Sequence, residues 1–165
     1  GEAHCPKVGY DYLLPFMVNH MNALICGNTA LDQFVTMFFA ILEKETGILH
    51  YVNAGHNSII LLHADGKTDY LESNNLILGY LPDIEFKMKS VQLLPGDLLF
   101  LYSDGVTEAF SSEQEEFGEE RLVEFLHQYY RESAHKICRN LMKQLEDFQE
   151  EQSDDTTMVA VKVKA

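Results

Sequence analysis

The chain has 165 residues, 46% of them hydrophobic, and 26 acidic against 12 basic side chains give it a net charge of −14. That suffices for one globular domain with its own core, while the negative balance argues against direct binding to a phosphate backbone. The three cysteines are far apart with no C-x-x-C, and the seven histidines form no H-E-x-x-H, which fits a reducing compartment and speaks against a disulfide framework or a zinc site.

Residues 1–14 show no clear period. From Pro15 the pattern is helical, with Met17, Val18, Met21, Leu24 and Ile25 on one face and Pro15 in the first turn. Gly27-Asn28 stops it. The run 34–42 (FVTMFFAIL) reads as a strand covered on both faces. A turn at 43–47 leads to a second strand, 48–54 (ILHYVNA), then Gly55-His56-Asn57 and a third strand, 59–63 (IILLH). Asp65-Gly66 turns the chain into 67–71. Such closely spaced turn signals predict antiparallel sheets.

The stretch 76–82 (LILGYLP) reads as a loop with an apolar anchor, and 85–93 (EFKMKSVQL) as a half-exposed strand. Next, 97–102 (DLLFLY) is apolar enough to lie inside a sheet, between the turn Pro95-Gly96 and the exit Ser103-Asp104-Gly105. Leu122, Phe125, Leu126, Tyr129 and Tyr130 then mark an amphipathic helix over 118–131. Ser133 caps another, lined by Ile137, Leu141, Leu145 and Phe148. An acidic linker, 149–153, returns the chain to a last strand, 156–163 (TTMVAVKV). The expected class is α+β, with helices outside antiparallel sheets. No apolar run reaches membrane length and no signal-peptide pattern is present, so the expected location is the cytoplasm, without membrane contact.

An isolated Asp-Gly is ordinarily a turn. Here Asp104 leaves the most apolar strand, and a second acidic pair, Asp154-Asp155, abuts another. Carboxylates on separate strand ends, without imidazole or thiol neighbours in sequence, are hard-oxygen ligands of the kind that suit Mg²⁺ or Mn²⁺. Paired ions of that kind would support phosphoester hydrolysis without a covalent intermediate. The motifs G-x-x-x-x-G-K-[ST], G-x-S-x-G and G-x-G-x-x-G are missing, which removes the usual nucleotide-binding and serine-hydrolase readings.

Taken in order, the segments 34–42, 51–62 (YVNAGHNSIILL), 76–86 (LILGYLPDIEF), 93–110 (LLPGDLLFLYSDGVTEAF), 117–122 (FGEERL) and 154–163 (DDTTMVAVKV) resemble the PPM-type, protein phosphatase 2C-like serine/threonine phosphatases. Within them the chain is most similar to the stage II sporulation protein E class, which includes the sigma-B regulator RsbU. The resemblance implies a β-sandwich with flanking helices and a Mn²⁺/Mg²⁺ centre at one edge. It implies a phosphoserine or phosphothreonine substrate on a small anti-anti-sigma-type protein, and a sensor domain upstream in the full protein. By motif, Asp104 and Asp154 correspond to metal-binding, catalytic aspartates. Gly105 would shape the loop, Thr107 and Glu108 complete the box, and Asp155 would fix the loop or support the ligands. Glu108 has two readings, a bond to loop amides or a metal ligand. The Ala54-Gly55-His56-Asn57 turn is diagnostic of the class, with His56 either a turn residue or a proton donor.

The family also carries an upstream D-x-S-G-x-G-like motif whose aspartate bridges both metals, and nothing of that form lies in residues 1–33. Residues 1–165 are therefore expected to be the C-terminal portion of a single PPM-type domain, lacking its early strands and first metal motif. The metal site would be weak or empty, and uncovered sheet edges would invite a homodimer. The alternative is a catalytically inactive pseudophosphatase or phosphoprotein-binding module.

Overall fold

A computed structural model describes residues 9–29, 33–149 and 155–164. The elements are α1 (Tyr10–Asn28), β1 (Met37–Glu43), β2 (Ile48–Ala54), β3 (Ile59–Leu62), β4 (Thr68–Leu71), β5 (Lys89–Gln92), β6 (Leu98–Tyr102), α2 (Asp104–Thr107), α3 (Gly118–Tyr129), α4 (Ala134–Phe148) and β7 (Met158–Lys162). The chain divides into two compact units, Gly1–His56 with Ser73–Leu93 and Asn57–Glu72 with Leu94–Ala165. Every strand pairing is antiparallel, and helices accompany each sheet, as the α+β expectation requires. No helix among the described residues is long and apolar enough to cross a membrane.

The first unit holds the sheet β1-β2-β5. Its core joins Leu14 and Val18 of α1 to Val52, Ala54, Leu78 and Phe86, and full burial of each large side chain is worth roughly 1.5–3 kcal/mol. Four expectations are corrected in this unit. The helix begins five residues before Pro15, because the Gly9 carbonyl accepts the amides of Tyr12 (3.1 Å) and Leu13 (3.0 Å) and so closes a turn there. Its buried face runs through Leu14, Val18 and Asn22, leaving Met17 and Leu24 exposed at 38% and 52%. Asn22 tolerates burial because its Oδ1 accepts the Gly79 amide and its Nδ2 donates to the Leu81 carbonyl, both at 2.8 Å.

The strand expected at 34–42 starts at Met37 and is half-exposed rather than covered on both faces. Among the described residues it has one strand neighbour, β2, and Val35 before it only bridges Leu78. The strand expected over 85–93 shrinks to four residues. The Phe86 amide is taken by Asn19 Oδ1 (3.0 Å) and the Lys87 amide by Asn75 Oδ1 (2.7 Å), so neither is free to extend the ladder.

The second unit holds the sheet β4-β3-β6-β7. As its apolar sequence requires, β6 is an inner strand, flanked by β3 and β7. Phe100, Leu98, Ile60 and Leu62 of this sheet pack with Leu122, Phe125 and Leu126 of α3 and Ile137, Leu141 and Leu145 of α4. These are the helical stripes that the sequence pattern predicts. Ser133 caps α4, its hydroxyl accepting the Lys136 amide at 3.4 Å.

Candidate functional site

At Tyr102 the main chain of β6 leaves its sheet, whose last β6–β7 pair is Tyr102 with Met158. The Tyr102 phenol is held well above its ordinary pKa by burial and then by Glu119, to which it donates at 3.4 Å. Ser103 follows and continues the pairing by other means. Its amide donates to the Thr157 carbonyl (2.9 Å), and its hydroxyl both accepts the Thr157 amide (2.9 Å) and donates to the Asp155 carbonyl (3.1 Å).

Asp104 begins α2 with its side chain exposed. The expected turn is thus one helical turn, because the Asp104 carbonyl accepts the Glu108 amide (2.8 Å) and the Thr107 hydroxyl (3.2 Å). Behind it, the main chain of Asp155 lies across Gly105: a Cβ there would meet the Asp155 carbonyl oxygen at 2.7 Å. The Thr156 hydroxyl donates back to the Gly105 carbonyl at 3.3 Å. Asp104, Gly105, Thr107, Glu108 and Asp155 are therefore brought to one place on the second unit.

Asp154 lies outside the described residues. The Asp155 and Glu108 side chains are exposed, and Glu108 bonds to no loop amide among the described residues. Among those residues no group of three or more His, Cys, Asp or Glu side chains could hold a metal ion. The donors that are present, carboxylate oxygens beside main-chain carbonyls, fit a hard divalent cation such as Mn²⁺ or Mg²⁺ and would supply part of its ligand set.

The boundary between the two units falls between His56 and Asn57. The turn they occupy is held by side-chain acceptors on its main chain: the His56 amide donates to Asn53 Oδ1 (3.0 Å) and the Gly55 amide to Ser73 Oγ (2.9 Å). Gly55 has φ +71°, and a Cβ on it would strike Ile77 Cγ2 at 2.2 Å. These contacts hold the turn in place.

Sequence reasoning gives no role to Ser103 beyond a turn and none to Asp97. Asp97 is 1% exposed and sits at the other end of β6 from Asp104. Its carboxylate accepts the amides of Leu94 (2.9 Å) and Ala64 (3.1 Å) and meets His63 Nδ1 at 3.1 Å. On the far side of that ring, Nε2 meets Asp69 Oδ2 at 3.0 Å. Burial opposes charge on His63, but the hydrogen bond to Asp69 and the charge of Asp97 outweigh it and raise the pKa above 6.5. The signal lay in register: Leu62 pairs with Leu98, which sets the flanking His63 and Asp97 opposite each other.

Residues 9–164 match the family described as Stage II sporulation protein E (SpoIIE). Protein IcfG of a Synechocystis species is 35% identical over 134 residues, covering 79% of this chain and 21% of that protein. The phosphoserine phosphatase RsbU of Bacillus subtilis is 28% identical over 152 residues, covering 90% of this chain and 44% of that protein. The chain thus spans less than half the length of either relative. Among solved structures, the SiaA-PP2C domain of Pseudomonas aeruginosa superposes with a TM-score of 0.79 at 18% identity, covering 92% of this chain and 61% of its own. The Mn-presoaked phosphatase domain of SpoIIE from Bacillus subtilis does so with a TM-score of 0.67 at 19% identity, covering 96% and 68%. The fold is that of PP2C phosphatase domains, and the chain belongs to the SpoIIE family.

Proposed function

We propose that this chain is the phosphatase part of a bacterial signalling protein and that it hydrolyses a phosphoserine or phosphothreonine on a small regulatory partner of the anti-anti-sigma type. One observation carries the reading. The segment bearing Asp104 and the segment bearing Asp155, some fifty residues apart in the chain, are bonded side by side where β6 and β7 leave their sheet. The substrate class draws support from RsbU and RsbP of Bacillus subtilis, both named phosphoserine phosphatases. We read 1–165 as part of a single PPM-type domain, a reading supported by phosphatase domains that match across 92% and 96% of the chain.

On this reading Asp104 and Asp154 hold Mn²⁺ or Mg²⁺. When bound, such ions supply a nucleophilic water at neutral pH and offset charge on the phosphoryl oxygens. The chain's own contribution is placement. The inner strand β6 gives Asp104 a rigid base, Gly105 admits the partner segment, and Thr107 and Glu108 close the helical turn that aims the Asp104 carboxylate outward.

The test is phosphate release from a phosphoserine-bearing small protein by the full chain with Mn²⁺, against Asp104→Asn. A loss of at least ~100-fold in the variant is expected, since metal stabilisation of the transition state is worth several kcal/mol. Retained activity in Asp104→Asn overturns the assignment. Tight binding of the phosphoprotein without release, unchanged in the variant, would instead favour a phosphoprotein-binding module.

A further inference from the structure

We propose that Ser103 is a positioning residue for the metal centre, its hydroxyl setting the spacing between Asp104 and Asp155 without touching the metal. The inference rests on the assignment of Asp104 and Asp154 as ligands made above.

Regular strand pairing between β6 and β7 ends at Tyr102 and Met158. Beyond that point one main-chain bond continues, from the Ser103 amide to the Thr157 carbonyl (2.9 Å), and this is where both acidic segments lie. The Ser103 hydroxyl bridges them by acting in both directions, accepting the Thr157 amide at 2.9 Å and donating to the Asp155 carbonyl at 3.1 Å. A hydroxyl can do both at once; a methyl group can do neither. Thr156 returns the favour with its own hydroxyl on the Gly105 carbonyl at 3.3 Å. The Asp155 carbonyl is thus gripped by Ser103 on one side and pressed on Gly105 on the other. Tethering the Asp155 carbonyl in this way fixes the main chain of Asp155 beside the segment that carries Asp104. Groups that orient ligands in this way govern affinity although they make no bond to the ion.

The experiment measures Mn²⁺ binding to the full chain by calorimetry and by electron paramagnetic resonance, with metal-free melting curves as the folding control. Ser103→Ala is expected to weaken Mn²⁺ binding roughly tenfold or more, the usual cost of losing an orienting partner, while its melting curve moves little. Ser103→Thr keeps the hydroxyl and is expected to recover the affinity, which a role in folding alone would not require. If Asp104→Asn loses Mn²⁺ while Ser103→Ala binds it like the wild type, the inference is overturned and the ligand assignment stands. If Asp104→Asn binds Mn²⁺ unchanged, the ligand assignment itself falls. Should Ser103→Ala not fold, Thr156→Val removes the reciprocal hydroxyl at nearly constant shape and carries the same expectation; wild-type affinity in that variant overturns the inference.

Discussion

The carbonyl oxygen of Asp155 stands 2.7 Å from the point that a Cβ on Gly105 would occupy. The obstacle is main chain, so no flexible side chain can swing aside to make room. Gly105 is not among the glycines with positive φ, so the requirement is one of space and not of backbone conformation. Gly105→Ala must push 155–157 away from α2, breaking the Ser103 and Thr156 bonds. The expected cost is about 1–3 kcal/mol, typical of overpacking a well-filled site, with phosphate release falling further than stability alone explains. Urea unfolding and a phosphate assay on the same sample check it, and wild-type stability in Gly105→Ala refutes the packing argument.

At the opposite end of β6, Asp97 and His63 make stability depend on pH. The Asp97 carboxylate is buried and holds two main-chain amides, so Asp97→Ala leaves the donors of Leu94 and Ala64 without their acceptor. That loss is worth about 1–3 kcal/mol. The pKa of His63 is raised in the folded chain, so its contribution is complete below pH 6.5 and is lost as pH rises through the folded value. Asp69, lowered first by its hydrogen bond to Lys67 and then by that to His63, contributes above its ordinary value of 3.8 and loses that contribution as pH falls through the folded one. The stability difference between wild type and His63→Gln is therefore expected to be larger at pH 6 than at pH 8.5. Urea titrations at the two pH values measure it, and a difference that grows with pH reverses the assignment.

Pro15 stands inside α1, although the sequence places it in the first turn. It has no amide to donate to the Asp11 carbonyl, and its ring presses on the preceding turn. The helix persists because Leu14 and Val18 on either side of it are fully buried. Restoring the bond in Pro15→Ala is expected to stabilise the chain by about 1 kcal/mol or more, seen as a higher melting temperature. A lower one would mean that the ring contributes packing on the groove it lines with Phe16 and Met88.

Much of this architecture was legible where local signals and tertiary packing agree. The strand β2 has the expected bounds because turns flank it on both sides, and β6 is an inner strand as its unbroken apolar run requires. Ser133 caps α4 as its position suggests. What escaped was decided by partners distant in sequence. Of the face expected on α1, Val18, Met21 and Ile25 do pack on the core, but the buried stripe is centred on Leu14 and Val18 and leaves Met17 and Leu24 outside it. Phe86 and Lys87 look like strand residues, but Asn19 and Asn75 claim their amides. At the site, the acidic residues stand out by type, whereas the hydroxyl of Ser103 acquires meaning only from the β6–β7 register, which no local pattern encodes.

That register also bears on what removing the Asp104 charge does in the absence of metal. The chain carries a net charge of −14, and the side chains of Asp104 and Asp155 are both exposed on segments bonded side by side. In a chain of that charge, removing one exposed carboxylate relieves general repulsion in the folded state. Asp104→Asn is therefore expected to be neutral or slightly stabilising in a chelator, the reverse of what loss of a structural residue produces. With Mn²⁺ at a hundred times its Kd, the wild type should gain about 2.7 kcal/mol and the variant almost nothing. Melting curves of both proteins with and without Mn²⁺ separate these effects. A variant that is markedly less stable in chelator would make Asp104 a structural residue of α2 and remove it from the metal centre.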